Sequence, residues 1–351
     1  MSFFSHTIST RIGQNNRLVK LEKLIDWSKI KKQLEILYEG KKREVGGVKP
    51  YNSLGMYKAI LLQSWYSLSD PELEEAVKLR IDFMTFTGFS LDSFVPDETT
   101  FCRFRNKLVD HGLDLILMKE INNQLTNLGL TISKSNGAIL DATIVESAAR
   151  PKKQIEIEED RNEKEEKQKI KIQESCDPDA KWLKKGKRCF FGYKVFAVAQ
   201  EKYGFIEHIE VTPANQSEMT YFPKVIEKLK FIKKRRIYGD KGFSSKNNRM
   251  FLKEKKYKDG IMEKRQKNKE LSKFQKIKNK LISKKRFIVE QGFGTMKRIL
   301  EFTRAKYMTK RKVEGEAIRK AICHNLIKAT NKIKIIPKRN YQEQILEFGG
   351  I

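Results

Sequence analysis

Gly137-Ala-Ile-Leu-Asp141-Ala-Thr-Ile-Val145 reads as a buried β-strand with a carboxylate at its centre. Apolar and β-branched residues flank Asp141 on both sides, so the strand has no polar face to turn to water. An unpaired carboxylate is costly to bury, and Asp141 therefore needs a cation, a partner or a solvent-lined cleft. Two further stretches repeat the pattern. Arg236-Ile-Tyr-Gly-Asp240-Lys-Gly-Phe243 sets Asp240 directly after a short strand, and Arg286-Phe-Ile-Val-Glu290-Gln-Gly-Phe293 carries Glu290 in a helical run. Each acid also has a plain reading. Asp141 can end its strand or pair with an arginine, Gly239-Asp-Lys-Gly242 is turn chemistry, and Arg286 with Glu290 is a surface helix pair. Three acids on different elements of one sheet–helix domain point instead to a pocket for Mg²⁺ or Mn²⁺, two ions close together, because the cluster repels itself without them.

The rest of the chain is built for a polyanion. Its 351 residues hold 73 Lys and Arg against 44 Asp and Glu, a net charge of +29. Such an excess favours nucleic acid as partner. A membrane is not expected, since no run approaches the ~18 apolar residues a spanning helix needs. The four cysteines (Cys102, Cys176, Cys189, Cys323) form no C-x-x-C pair, which argues against a zinc site and fits a reducing cytoplasm. No secretory signal is evident at the N-terminus.

Periodicity predicts helices over Arg17–Tyr38, around Tyr57–Trp65, from Ser69 to about Phe86 and from Pro96. Ser69-Asp-Pro-Glu72 supplies a capping side chain, an early proline and a glutamate three residues on. Residues 1–132 thus form an all-helical N-terminal domain with a basic face, on which Arg103 and Arg105 are candidate DNA contacts. Residues 133–335 form an α/β domain, a mixed sheet flanked by helices. Its expected strands are Gly137–Val145, Phe190–Ala199, Phe205–Val211, Arg236–Gly239 and Asp259–Met262, the second and third forming a hairpin. Helices are expected over Glu218–Lys230, after Ser244, from about Ser283 to Leu300, and over Val313–Lys332. Charged insertions are expected near 152–178 and 265–285, and residues 336–351 form a tail.

With these residues in view, the chain resembles the DDE-type transposases of the bacterial insertion-sequence-five (IS4/IS5-like) family. Leu140-Asp-Ala-Thr-Ile-Val-Glu-Ser147 with Arg150-Pro151 is similar to the family's first-aspartate segment, and Tyr238-Gly-Asp-Lys-Gly-Phe243 to its second. Asp177-Pro-Asp-Ala-Lys-Trp182, Phe191-Gly-Tyr-Lys194 and Val211-Thr-Pro-Ala-Asn215 resemble the stretches between. Arg286, Glu290 and Lys297 keep the spacing of the third motif, with Ser283 where a tyrosine is usual. Leu68–Glu75 and Pro96–Arg105 resemble the family's helical domain.

The resemblance implies an RNase-H-like core with Asp141, Asp240 and Glu290 as catalytic metal ligands. Lys297 would hold DNA near the scissile phosphate, and Arg286 a neighbouring phosphate or Glu290 itself. It further implies terminal inverted repeats and target DNA as partners, a homodimer or larger synaptic complex, and work at the bacterial nucleoid. Two rivals share parts of this pattern: a metal-dependent nuclease without strand transfer, and a non-catalytic nucleic-acid-binding protein. The late segment around His324 reads as a packing helix.

Overall fold

The computed structural model describes residues 11–38, 50–89, 94–131, 137–151, 155–158, 169–172, 175–229, 234–266, 269–335 and 346–348. Helices come first: α1 (Arg17–Leu24), α2 (Trp27–Leu34), α3 (Ser53–Tyr66), α4 (Asp70–Leu79), α5 (Ile81–Thr87), α6 (Glu98–Asp110) and α7 (Leu113–Asn127). The main sheet follows, from β1 (Gly137–Glu146), β2 (Lys181–Lys185), β3 (Arg188–Gln200), β4 (Ile206–Pro213), β5 (Arg236–Gly239) and β6 (Lys258–Ile261). Interleaved with these and after them are α8 (Glu218–Glu227), α9 (Lys246–Glu254), α10 (Lys273–Arg298) and α11 (Lys310–Lys332).

Two predicted helices are each broken in two. The first expected helix stops at Ile25, because Asp26 caps a new one by accepting the Ser28 N–H at 3.1 Å. The second opens at Ser69 with the expected capping box, then breaks at Arg80. There the guanidinium pairs with Asp82 and lies 3.9 Å from the Phe83 ring centroid, which stabilises an extended residue between α4 and α5.

α10 corrects a third expectation. It begins ten residues before Ser283, at a capping box in which Ser272 and Gln275 satisfy each other's backbone N–H groups. Much of the stretch expected as a charged insertion at 265–285 is therefore helix. Of the insertion expected at 152–178, a short ribbon pairs Ile155–Glu158 with Lys169–Ile172, Ser175 onward joins the fold, and the rest lies outside the described residues. The tail at 336–351 also lies outside them, apart from a pairing of Leu346–Phe348 with Ile333–Ile335.

β1 runs antiparallel to β3 and parallel to β5; β3 carries β4 and β2, and β5 carries β6 in parallel. The order β4-β3-β1-β5-β6, three antiparallel strands continued by two parallel ones, is the RNase-H-like sheet. Alternation divides the strands between two cores. Ala138, Leu140, Phe196, Val198 and Ile237 pack under α8 and α9, against Phe222, Val225 and Leu252. Ile139, Val145, Val195, Ala197, Ile209 and Val211 face α10, α11 and the N-terminal helices in one larger core.

α11 is buried along most of its length and ties this core together. Asn325 on it covers the free edge of β4, accepting the Ile206 N–H and donating to the Ile206 carbonyl, both at 2.8 Å. Arg319, 1% exposed, donates to Asp114 of α7 at 2.7 Å, and burial drives the Asp114 carboxyl upward despite that arginine. Arg319→Met should destabilise the protein by about 3–5 kcal/mol in urea unfolding, because a buried carboxylate loses its partner. Adding Asp114→Leu should recover most of that loss; no recovery would mean that packing around Arg319, and not the charge, sets the cost.

Candidate active site

Asp141 sits on the central strand and shares a face with Ile139, so it points toward α10. The parallel register pairs Gly137 with Arg236 and Ile139 with Tyr238. Carried two residues further, that register sets Asp141 beside Asp240. Asp240 stops β5 and opens the short turn Lys241–Phe243, its Oδ1 accepting the Gly242 N–H at 2.7 Å. The plain turn reading of this residue is realised, in a place that also sets it beside Asp141.

α10 crosses above the two aspartates. Arg286 Nη2 donates to Asp141 Oδ2 at 2.8 Å and stands 3.5 Å from Glu290 Oε1. One guanidinium therefore spans the first and third acids, and the pairing weighed for Asp141 and the one weighed for Glu290 both occur through it. Glu290 itself is half exposed, while Arg286 and Asp141 are enclosed. The carboxyl of Asp141 is pushed up to about 6, mainly by burial and further by the charge of Asp240, against the pull of Arg286 and the Ala142 N–H.

The donors suit a hard divalent ion: carboxylates only, two of them adjacent at the end of parallel strands. One arginine does not fully compensate Asp141, and Arg286 Nε is buried without a hydrogen-bond partner. The incompletely compensated carboxylate fits a seat for a cation, and the unpaired Nε–H fits an acceptor beside it. In the arrangement seen here the guanidinium occupies the space between the acids. Among the described residues no three His, Cys, Asp or Glu side chains are grouped closely enough to hold an ion.

The other candidates divide. Lys297 lies two turns beyond Glu290 on α10, half-buried, and burial together with the nearby Lys185 lowers its pKa. Lys185 belongs to a hairpin that the sequence reading missed, Lys181-Trp-Leu-Lys-Lys-Gly-Lys-Arg188, which sets five cations and an exposed Trp182 at the end of β2 and β3. The signal was present in Lys and Trp around a Gly turn, but β2 lacks the apolar alternation of a strand. Ser283 is exposed on α10.

Arg103 is exposed on α6, as expected of a DNA contact, but Arg105 is not available as one. It is 4% exposed and grips Asp70 through both nitrogens, at 2.5 and 2.8 Å, with Gln63 at 3.0 Å and the Tyr307 ring beneath it. Helical spacing explains the correction: Arg105 follows Phe101 by four and Phe104 by one, on the buried side of α6. His324 is also buried, and its imidazole pKa falls to about 4 through burial and Lys328.

Residues 132–326 match the family model for a transposase DDE domain, and residues 6–107 match a transposase domain model (DUF772). The transposase for insertion sequence element IS1106 of Neisseria meningitidis serogroup B is 38% identical over 236 residues, 66% of this chain and 78% of that protein. The chain belongs to the DDE transposase family. It is accordingly an enzyme acting on DNA, of a family that uses divalent metal. A piggyBac transposase, solved in a synaptic complex with hairpin DNA, overlaps 90% of the transposase and 74% of its own chain at 10% identity and a TM-score of 0.46. Among the described residues, no helix of the transposase is long and apolar enough to cross a membrane.

The raised pKa of Asp141 has a defined sign. Its folded value lies above the ordinary 3.8, so ionising it costs stability; the cost is absent below that value and grows as pH rises through about 6. In chelator, the stability of Asp141→Asn relative to the parent should therefore rise between about pH 3.5 and 6.5, by up to about 3 kcal/mol, and stay level above that. Millimolar Mn²⁺ should stabilise the parent at the upper pH and leave the variant unmoved. A difference that is flat with pH would show that Asp141 is not the strained group.

Proposed function

We propose that this transposase, a member of the insertion-sequence-five (IS4/IS5-like) group, cuts the ends of its element and transfers the freed 3′-hydroxyls to target DNA. Asp141, Asp240 and Glu290 are the catalytic ligands, for two Mg²⁺ or Mn²⁺ ions. The register of β1 with β5 supports this reading most, because it sets Asp141 beside Asp240 beneath the helix that carries Glu290. When bound, the metal supplies activation of the attacking oxygen and charge stabilisation of the leaving one.

The protein's own residues do the positioning. Arg286 holds Asp141 in the free enzyme and is placed to exchange that carboxylate for a backbone phosphate when a divalent ion takes its seat. Lys297, with Lys185 beside it, meets the phosphates next to the scissile bond, and the net charge of +29 draws the duplex in. Residues 1–132 hold the terminal inverted repeats, with Arg103 on their exposed surface, and residues 133–335 carry the chemistry. Two ends must meet for joining, so the working form is a homodimer or larger synaptic assembly at the bacterial nucleoid.

The deciding experiment is a cleavage and strand-transfer assay with Mg²⁺ or Mn²⁺ on DNA carrying the sequences that flank this gene. Joined products should fall by about 1000-fold or more in Asp240→Asn, as expected when several kcal/mol of transition-state stabilisation are lost. Nicks without joining would favour a nuclease, and joining that survives the substitution would remove Asp240 from the chemistry. Lys297→Ala should weaken DNA binding across sequences and lower the salt slope of log K by about one. An unchanged slope would place Lys297 off the phosphate path.

A further inference from the structure

Two of the family-like runs, Phe191-Gly-Tyr-Lys194 and Val211-Thr-Pro-Ala-Asn215, supply no member of the acid cluster, yet they meet behind Asp240. Lys194 stands two residues from Phe196 on β3, on the face where Phe196 stacks against Tyr221 of α8. Its side chain is almost wholly buried. The ammonium donates to the Gln216 carbonyl at 2.7 Å and lies 3.4 Å from Glu218 Oε1. Gln216 and Glu218 belong to the link that follows Asn215 and to the first turn of α8.

The other oxygen of Glu218 reaches the Asp240 turn. A Cβ built on Gly242 would come within 2.5 Å of Glu218 Oε2 and 2.9 Å of Asp240 Oδ1. Gly242 is not among the glycines with positive φ, so the requirement for glycine here is one of space. The Gly242 N–H in turn donates to Asp240 Oδ1 at 2.7 Å. A buried ammonium, a carboxylate, a peptide group and the Asp240 carboxylate thus stand in one row from the covered face of the sheet to its strand end.

Each link has a physical reason. Lys194 needs a counter-charge where it is buried, and Glu218 provides it. Glu218 without Lys194 would be an uncompensated negative charge pressed toward Asp240, and repulsion would spread the turn. We propose that Lys194 and Glu218 are positioning residues for Asp240: the buried ammonium anchors Glu218, and Glu218 packed on Gly242 fixes the turn that presents the Asp240 carboxylate to Asp141. The inference rests on Asp240 being a metal ligand, and it gives Lys194, the last residue of the first run, a partner just beyond the second.

Mn²⁺ titration of the full-length protein without DNA tests it, followed by calorimetry on the parent, Asp240→Asn, Lys194→Met, Lys194→Arg, Glu218→Ala, Gly242→Ala and the Gly242→Ala/Glu218→Ala double variant. Lys194→Met, Glu218→Ala and Gly242→Ala should each weaken Mn²⁺ by about tenfold, the usual effect of losing a group that orients a ligand. Lys194→Arg should retain most of the affinity. The loss caused by Gly242→Ala should shrink, though not vanish, when Glu218→Ala is already present, because the closer of the methyl's two clashes is then gone and only Asp240 Oδ1 at 2.9 Å is left. Should Lys194→Met not fold, Glu218→Ala, at the partly exposed start of α8, carries the same test. Parent-like Mn²⁺ affinity in Lys194→Met and Glu218→Ala, with binding lost in Asp240→Asn, would overturn this inference alone. No Asp240-dependent binding in the parent would overturn the metal-pocket reading, and this inference with it.

Discussion

A carboxylate on the central strand of a sheet is the constraint around which the other parts are arranged. Asp141 is too enclosed to be hydrated and only partly matched by one arginine, so its charged form is disfavoured in the folded chain. Everything near it bears on that imbalance. β5 runs parallel to β1 in the register that adds a second acid, which makes the imbalance worse. α10 lies across the strand ends and brings the one cation that relieves it. The protein holds this strain because the sheet, fixed on both faces by apolar cores, leaves Asp141 no way to turn outward.

Arg286 therefore has two partners in competition. Its bond to Asp141 partly compensates a buried charge, and the same nitrogen stands 3.5 Å from Glu290 Oε1. Under the proposed metal reading, a divalent cation at Asp141 would replace this guanidinium, whose side chain could then turn toward a DNA phosphate from a helix anchored by Val289, Phe293 and Met296.

Much of this arrangement was legible in the residues. Continuous apolar, β-branched runs located β1, β3, β4 and β5 because those strands are buried on both faces and carry few polar residues. β2 was missed for the opposite reason: Lys181-Trp-Leu-Lys-Lys185 is exposed, and only its pairing with β3 makes it a strand. Helix starts with a capping box were readable at Ser69, while Ser272 was passed over because Lys-rich sequence around it suggested solvation. Breaks at Asp26 and Arg80 arise from local side-chain contacts, Asp26 with Ser28 and Arg80 with Asp82 and Phe83, which apolar periodicity does not encode. At the site, the three acids were found by their apolar surroundings, but the bond from Arg286 to Asp141 joins residues far apart along the chain. Arg105 shows the converse, since a charged residue looks like a surface residue until Asp70 and Gln63 are seen to enclose it.

The cover that α11 places over β4 has a consequence for how the chain is made. Asn325 supplies, from one side chain, the donor and acceptor that a neighbouring strand would otherwise offer to Ile206. All six strands of the main sheet precede it in the sequence, so a chain synthesised only to residue 305 has every strand and one edge still open to pairing. Until the last long helix leaves the ribosome, the nascent protein carries a β-edge able to recruit another copy. Interrupted synthesis would thus yield aggregating fragments, and only a chain extended through α11 covers the β4 edge of its own sheet.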